Sequence, residues 1–350
     1  MRHYLYLLST LYCLLYFNTV LAQTTVSDQA EARDLYSNAK NYILKNDLAN
    51  AIMVLNQAVQ IDPNSLTLRK ELANTYYINN DFLLAEKMIA PLLKRSDADE
   101  STFLIAANTY TAMNRTDDTK EALNKGLSKF PNSGILYASK GDYYNKLKKY
   151  KTAAQTWEKG IEMDPGYHLN YYNLSKVYYF TKNYLWAIWY GETFVNLESF
   201  SSKTEEVKKI VFESYKFLMG ELNNQALDGK VNRYENPKNF KESCLKIFDQ
   251  LRPVVTGGIN PENITMLRVR FLLEWNKKYA AKYPYELIDH QHRLLTRGYY
   301  DSYNMWLFGK LDNDKAYRNW TQKNADLMNR FDKYLRSYKL KPKQNQYYQN

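Results

Sequence analysis

Apolar and polar positions along this chain recur every 34 residues. A tyrosine stands at Tyr42, Tyr76, Tyr110, Tyr144 and Tyr178. Three residues before each is a small side chain: Ala39, Ala73, Ala107, Gly141 and Ser175. Nine residues after each tyrosine the series reads Ala51, Ala85, Thr119, Ala153 and Ala187. Four further on it reads Leu55, Ile89, Leu123, Trp157 and Gly191, and Pro63, Pro131 and Pro165 close three of the units in register. A fixed period of this length marks stacked supersecondary units, none of which can bury its apolar face alone.

Each column has a physical reading. A 34-residue unit holds two helices and two short turns. A small residue in the first helix lets the second approach closely, and the tyrosine one turn later fills the space between neighbouring hairpins. The small residue early in the second helix marks the crossing point, and the large apolar residue four later shares its face. The closing proline stops the second helix and drives its predecessor out of helical geometry. In Ile61-Asp62-Pro63-Asn64-Ser65, Asn64 or Ser65 is placed to cap the next helix.

This pattern resembles the tetratricopeptide repeat family. The fourth unit carries the resemblance best, with Tyr137, Gly141, Tyr144, Ala153, Trp157, Gly160 and Pro165, and the first follows with Leu35, Ala39, Tyr42, Ala51, Leu55, Ala58 and Pro63. Unit two departs at Arg69 and Asp97, and unit five at Gly191. The resemblance implies an all-α, right-handed superhelical solenoid of five hairpins over 32–201, and a role in binding peptides or other proteins. After it, 202–256 reads as a degenerate sixth hairpin with a polar inserted loop at 221–239, and atypical terminal units are what such arrays need. Gly257-Gly258 and Pro261 mark a break. Apolar-aromatic helices follow over 259–338, and a polar tail at 339–350 is expected to be disordered. The C-terminal segment also resembles the ends of uncharacterised exported tetratricopeptide proteins of Bacteroidota-type bacteria, through Tyr285-Glu286-Leu287-Ile288-Asp289 and Tyr303-Asn304-Met305-Trp306-Leu307-Phe308-Gly309.

The first 22 residues change the picture of where the chain works. Arg2 and His3 precede an apolar run to Phe17, and Val20-Leu21-Ala22 offers small or short residues before a cut at Gln23. That order predicts a secretory signal peptide over 1–22, an exported protein, periplasmic, secreted or outer-membrane-associated, and no integral membrane segment after cleavage. Cleavage leaves Cys244 alone, which excludes an intramolecular disulfide and a cysteine metal cluster. Its apolar-periodic setting predicts a buried thiol. The formal charge of +11 is spread along the chain and reads as a diffuse basic surface. Together with export, it argues against nucleic acid as a partner.

Candidate chemistry is sparse. His290 and His292 are two apart and point to different helix faces, so they are read as surface or capping residues, not metal ligands. There is no phosphate-cradling glycine loop and no nucleophile elbow. No cofactor is expected, and the chain is read as non-enzymatic. The resemblance instead implies a groove lined by the first helices, where the residue after the small one faces a ligand. That column is Lys40, Asn74, Asn108, Asp142 and Lys176. An amide both donates to and accepts from a peptide backbone. Asn74, Asn108 and Asp142 are therefore expected to grip an extended segment between Lys40 and Lys176. Tyr36, Lys70, Tyr77, Asn145, Tyr172 and Tyr179 are groove neighbours that add aromatic anchors. The alternatives are an ordinary polar face, a glycan-binding protein whose tyrosines and tryptophans stack on sugars, and an enzyme with its site where the repeats meet the C-terminal helices, near His290 and His292.

Overall fold

The computed structural model describes residues 26–228, 234–346 and 348. The signal-peptide reading lies outside them, as do residues 229–233 of the inserted loop and some of the tail. The described residues are all-α, with no strand. They fall into two compact units that divide at Gly126 and Leu127.

The first unit holds α1 (Val26–Leu44), α2 (Leu48–Ile61), α3 (Leu66–Ile78), α4 (Phe82–Ile89), α5 (Glu100–Ala112) and most of α6 (Thr116–Lys129). These pair as successive antiparallel hairpins. The small columns lie at the helix crossings: Ala39, Ala51, Ala73 and Ala85 are fully buried, with Leu55 and Leu72 packed beside them. Burying each leucine contributes roughly 2 kcal/mol. Asp47, Ser65 and Asp99 cap α2, α3 and α5 by accepting from backbone N–H groups of their first turns. Unit two of the repeat, which lacks the closing proline, ends differently. Pro91 tightens its second helix into a 3-10 turn at Ala90–Lys94. Arg95 then clasps Asp97 through two bonds of 2.8 Å and donates to the Asn64 carbonyl at 2.7 Å.

Every first helix ends the same way. Asn46, Asn80, Asn114, Lys148 and Lys182 all have φ between 57° and 65°. The amide after each returns to the carbonyl of the repeating tyrosine, from Asp47 N to Tyr42 O at 2.9 Å through Asn183 N to Tyr178 O at 2.8 Å. The left-handed residue's own amide bonds three residues back, as in Asn46 N to Ile43 O at 2.9 Å. This is the Schellman ending, and it turns the chain into the second helix at a fixed angle.

The second unit holds α7 (Gly134–Lys146), α8 (Tyr150–Met163), α9 (His168–Phe180), α10 (Tyr184–Leu197), α11 (Ser202–Leu227), α12 (Phe240–Gln250), α13 (Pro261–Lys278) and α14 (Glu286–Thr296). α15 (Tyr300–Asn304) runs on into a π turn (Met305–Gly309) and a last turn (Lys310–Asp312). α16 (Asp314–Lys323) and α17 (Ala325–Ser337) follow. Gly141 admits Trp157: a Cβ there would lie 2.1 Å from the indole nitrogen, which donates to Ala138 O at 3.1 Å. Gly191 has the same role in the next hairpin, where a Cβ would meet Val211 of α11 at 2.6 Å. The missing aromatic of unit five is thus what lets α11 dock. Tyr184–Asn196 of α10 is buried throughout, as suits a helix covered on all sides.

One apolar core runs from Ala153 to Leu340, so the C-terminal helices and the last hairpins share it. Three differences from the sequence expectation stand out. α11 continues to Leu227, into the stretch read as loop. The stretch from Lys315 to Tyr338, which the sequence reads as one helix, breaks at Asn324, whose side chain donates to the Trp320 carbonyl and competes with the helical ladder. The described residues of the tail pack instead of standing free. Leu340 is buried, Gln346 Oε1 accepts from the Glu286 amide at 2.8 Å, and the Tyr348 ring stacks on Phe240 at 4.8 Å. A few side-chain anchors in a polar sequence are enough to hold it.

Candidate functional site

In the first unit the residue after each buried small side chain reaches the surface. Asn74 and Asn108 are both half-buried there, one repeat apart, and neither side chain hydrogen-bonds to another described residue. Lys40 is exposed, with its ammonium 4.2 Å from the Tyr36 ring centre. Tyr36 lines a cleft of about 350 Å³ with Gln29 and Arg33 of α1, Asp62 and Ser65 of the turn, and Thr67 and Leu68 of α3. Tyr77 lies against Phe82 at 5.9 Å. Lys70 is already engaged: it pairs with Asp99, the N-cap of α5. Together with caps from Thr102 and Ser101, that pairing holds the Asp99 carboxyl down at about 2, against the upward push of its partial burial.

In the second unit Asp142 reaches solvent. The wall around it nonetheless displaces enough water to push its carboxyl up to about 6, against the hydrogen bond it accepts from Asn173 at 2.7 Å. Asn145 is exposed one turn on. Tyr172, Lys176 and Tyr179 of α9 are brought together, but with acidic partners on α11. Tyr172 donates to Glu206 at 2.6 Å, Lys176 pairs with Glu206 at 2.7 Å and bonds the Tyr172 hydroxyl at 3.1 Å, and Tyr179 donates to Glu213. The hydrogen bond from Lys176, then that from Tyr172, holds the Glu206 carboxyl below its usual range. The bond to Glu213 pushes the Tyr179 phenol up to about 12. Glu206 and Glu213 stand 34 residues after Tyr172 and Tyr179. Carrying the repeat register into α11 would have found both.

Sequence reasoning also missed a buried polar cluster in the second unit. Glu192 of α10 is fully buried. Its Oε1 accepts from Arg268 of α13, from Gln291 of α14 at 2.6 Å and from Tyr303 of α15 at 2.8 Å. Arg268 donates to Asn304 as well, and its guanidinium lies 5.2 to 5.8 Å from the ring centres of Tyr215, Tyr300, Tyr303 and Phe308. Single charges 76 residues apart inside helices carry no sequence signal of pairing. The cluster joins the fifth hairpin to three C-terminal helices, which makes it a register device, with every member sealed from solvent. Beside it, the expectation of a surface or capping role for His290 is corrected. It is 1% exposed, stacked on Tyr338 at 4.7 Å, and burial, with Arg293 second, pushes its imidazolium down to about 3. Among the described residues no group of three or more His, Cys, Asp or Glu could hold a metal ion, and no helix is long and apolar enough to cross a membrane.

Comparison with known proteins agrees with the repeat geometry. The tetratricopeptide repeat family model matches residues 35–65 and 135–167, the first and fourth hairpins. Similar solved structures include a tetratricopeptide repeat protein from Parabacteroides merdae (16% identity, 75% of this chain and 97% of that one, TM-score 0.41) and a thermophilic one from Thermus thermophilus (11%, 51% and 98%, 0.44). MamA is another, with 18% identity over 49% of this chain and 94% of that one and a TM-score of 0.38. No curated protein matches. With its columns, its Schellman turns and two matched hairpins, this chain carries tetratricopeptide repeats in its N-terminal half.

Proposed function

We propose that the chain is a non-enzymatic scaffold that binds an extended segment of another protein on the first-helix face of its hairpins. The observation that carries this reading is the pair Asn74 and Asn108. Half-buried amides that no described side chain of the protein occupies are free to exchange water for a bound backbone. An extended peptide offers a donor and an acceptor at every residue, which is what an amide ladder at repeat spacing reads. The Tyr36 cleft supplies an adjoining anchor for an apolar or aromatic side chain. In the second unit Asp142, whose carboxyl sits at about 6, favours a cationic group once the pH is above that value. Residues 1–22 support export, so the partner would be an envelope protein.

Cross-linking of the mature chain in its native envelope, followed by pulldown and mass spectrometry, tests the reading. A defined set of partners lost on Asn74→Ala with Asn108→Ala supports it. Partners retained at undiminished affinity refute it.

A further inference from the structure

Away from the repeat face, the C-terminal helices enclose a cleft of about 500 Å³. Its apolar walls are Pro261 and Thr265 at the start of α13, Met305 of the π turn, and Tyr317 and Trp320 of α16. The volume lies in the range of small-molecule sites. Two features of the backbone make it. The π turn inserts a residue into the helix, a distortion found often at functional sites. Gly309, the last residue of that turn, has no Cβ where one would lie 2.6 Å from the Tyr317 ring, so the ring comes down onto the turn.

The rings of Tyr317 and Trp320 are half-buried and neither packs on another aromatic ring among the described residues. Around them the cleft carries three exposed carboxylates, Glu262, Asp301 and Asp312. None of the three forms an ion pair with a described residue, although the chain carries eleven more cationic than anionic side chains. An acidic, aromatic cleft on a basic protein is therefore not filled by the protein's own cations.

We infer that this cleft is a binding site for an alkylammonium group: a primary amine on a short apolar stem, with the stem against Tyr317 and Trp320 and the charge among Glu262, Asp301 and Asp312. Aromatic faces attract a cation through the ring quadrupole, and carboxylates add charge-assisted hydrogen bonds to its N–H groups. A free polyamine and the lysine side chain of a peptide share this chemistry. The inference does not rest on the first-helix face, and none of its residues belongs to that face.

The test is calorimetric titration of the mature chain with spermidine and, separately, with an amidated, acetylated trilysine peptide. The wild type is compared with the triple variant Glu262→Gln, Asp301→Asn, Asp312→Asn and with Trp320→Leu. The three carboxylates are exposed, so the triple variant should melt with the wild type, and that is checked first. Saturable binding that weakens at least about tenfold in the triple variant and weakens in Trp320→Leu supports the site. Tighter spermidine binding assigns a free amine, and tighter peptide binding assigns a lysine side chain. No binding of either probe to the wild type, or binding unchanged in the triple variant, overturns the inference. So does binding of a neutral oligosaccharide that Trp320→Leu abolishes while the triple variant retains it.

Discussion

Acid should unfold the second unit partly through one histidine. His290 stacks on the ring of Tyr338, with the Tyr334 ring beside both, and its Nδ1 has no hydrogen-bond partner. Burial, helped by Arg293 three residues on, pushes its imidazolium down to about 3, against an ordinary value of 6.5. Between those two values the unfolded chain takes up a proton that the folded chain refuses. The stability held by the neutral ring is therefore complete above about pH 6.5 and falls steadily as pH drops toward 3. At about pH 5 the gap is roughly 1.5 units, and at 1.36 kcal/mol per unit the loss is about 2 kcal/mol. Asp142 works in the opposite direction. Its raised carboxyl keeps a proton that the unfolded chain releases, so its contribution is present at low pH and is lost as pH rises toward 6. The decisive quantity is thus the difference between the wild type and His290→Gln, not either slope alone. Urea midpoints at about pH 7.5 and about pH 5 should show the wild type losing about 2 kcal/mol more than the variant. Equal losses in the two proteins would refute the burial argument.

Other outcomes follow from the same structure. Glu192→Gln or Arg268→Met alone leaves one buried charge uncompensated and should cost roughly 3 to 5 kcal/mol. The double variant should cost clearly less than the sum, and a double-mutant cycle by urea unfolding reads the difference. Lys148→Gly and Lys182→Gly relieve side chains from left-handed geometry at φ of 58° and 60°. Each should gain about 0.5 kcal/mol after the added backbone entropy of glycine, read by thermal melting. Gly191→Leu should lower the melting temperature sharply, because its side chain would drive Val207 and Val211 off α10.

The hairpins were legible because each column answers one physical demand that recurs every 34 residues. Ala39, Ala73 and Gly141 are small because a second helix crosses there, so the column recurs in every unit. The turn was legible too, in Asn46, Asn80 and Asn114, but Lys148 and Lys182 occupy the same position and hide the rule. On the candidate face, the small column gave the positions of Asn74 and Asn108. It could not show that Lys70 is taken up by Asp99, because ion pairing between helices depends on side-chain reach, whereas Glu206 and Glu213, the partners of Tyr172, Lys176 and Tyr179, fall in the 34-residue register once it is carried into α11. The Glu192–Arg268 cluster and the buried His290 were illegible for a related reason. A single polar residue on an amphipathic helix looks the same whether its face meets water or another helix. In the tail, Leu340 and Tyr348 anchor a segment whose composition is otherwise that of free chain.

Asn74 and Asn108 have no side-chain partner among the described residues, and in the proposed function a partner's backbone pairs them. The most direct measurement is affinity capture of envelope proteins on the mature chain and on the Asn74→Ala, Asn108→Ala variant, quantified side by side. The variant should melt with the wild type and lose the captured partner by about tenfold or more, the equivalent of about 1.4 kcal/mol. Capture of the same partner at equal strength by both proteins would contradict that pairing.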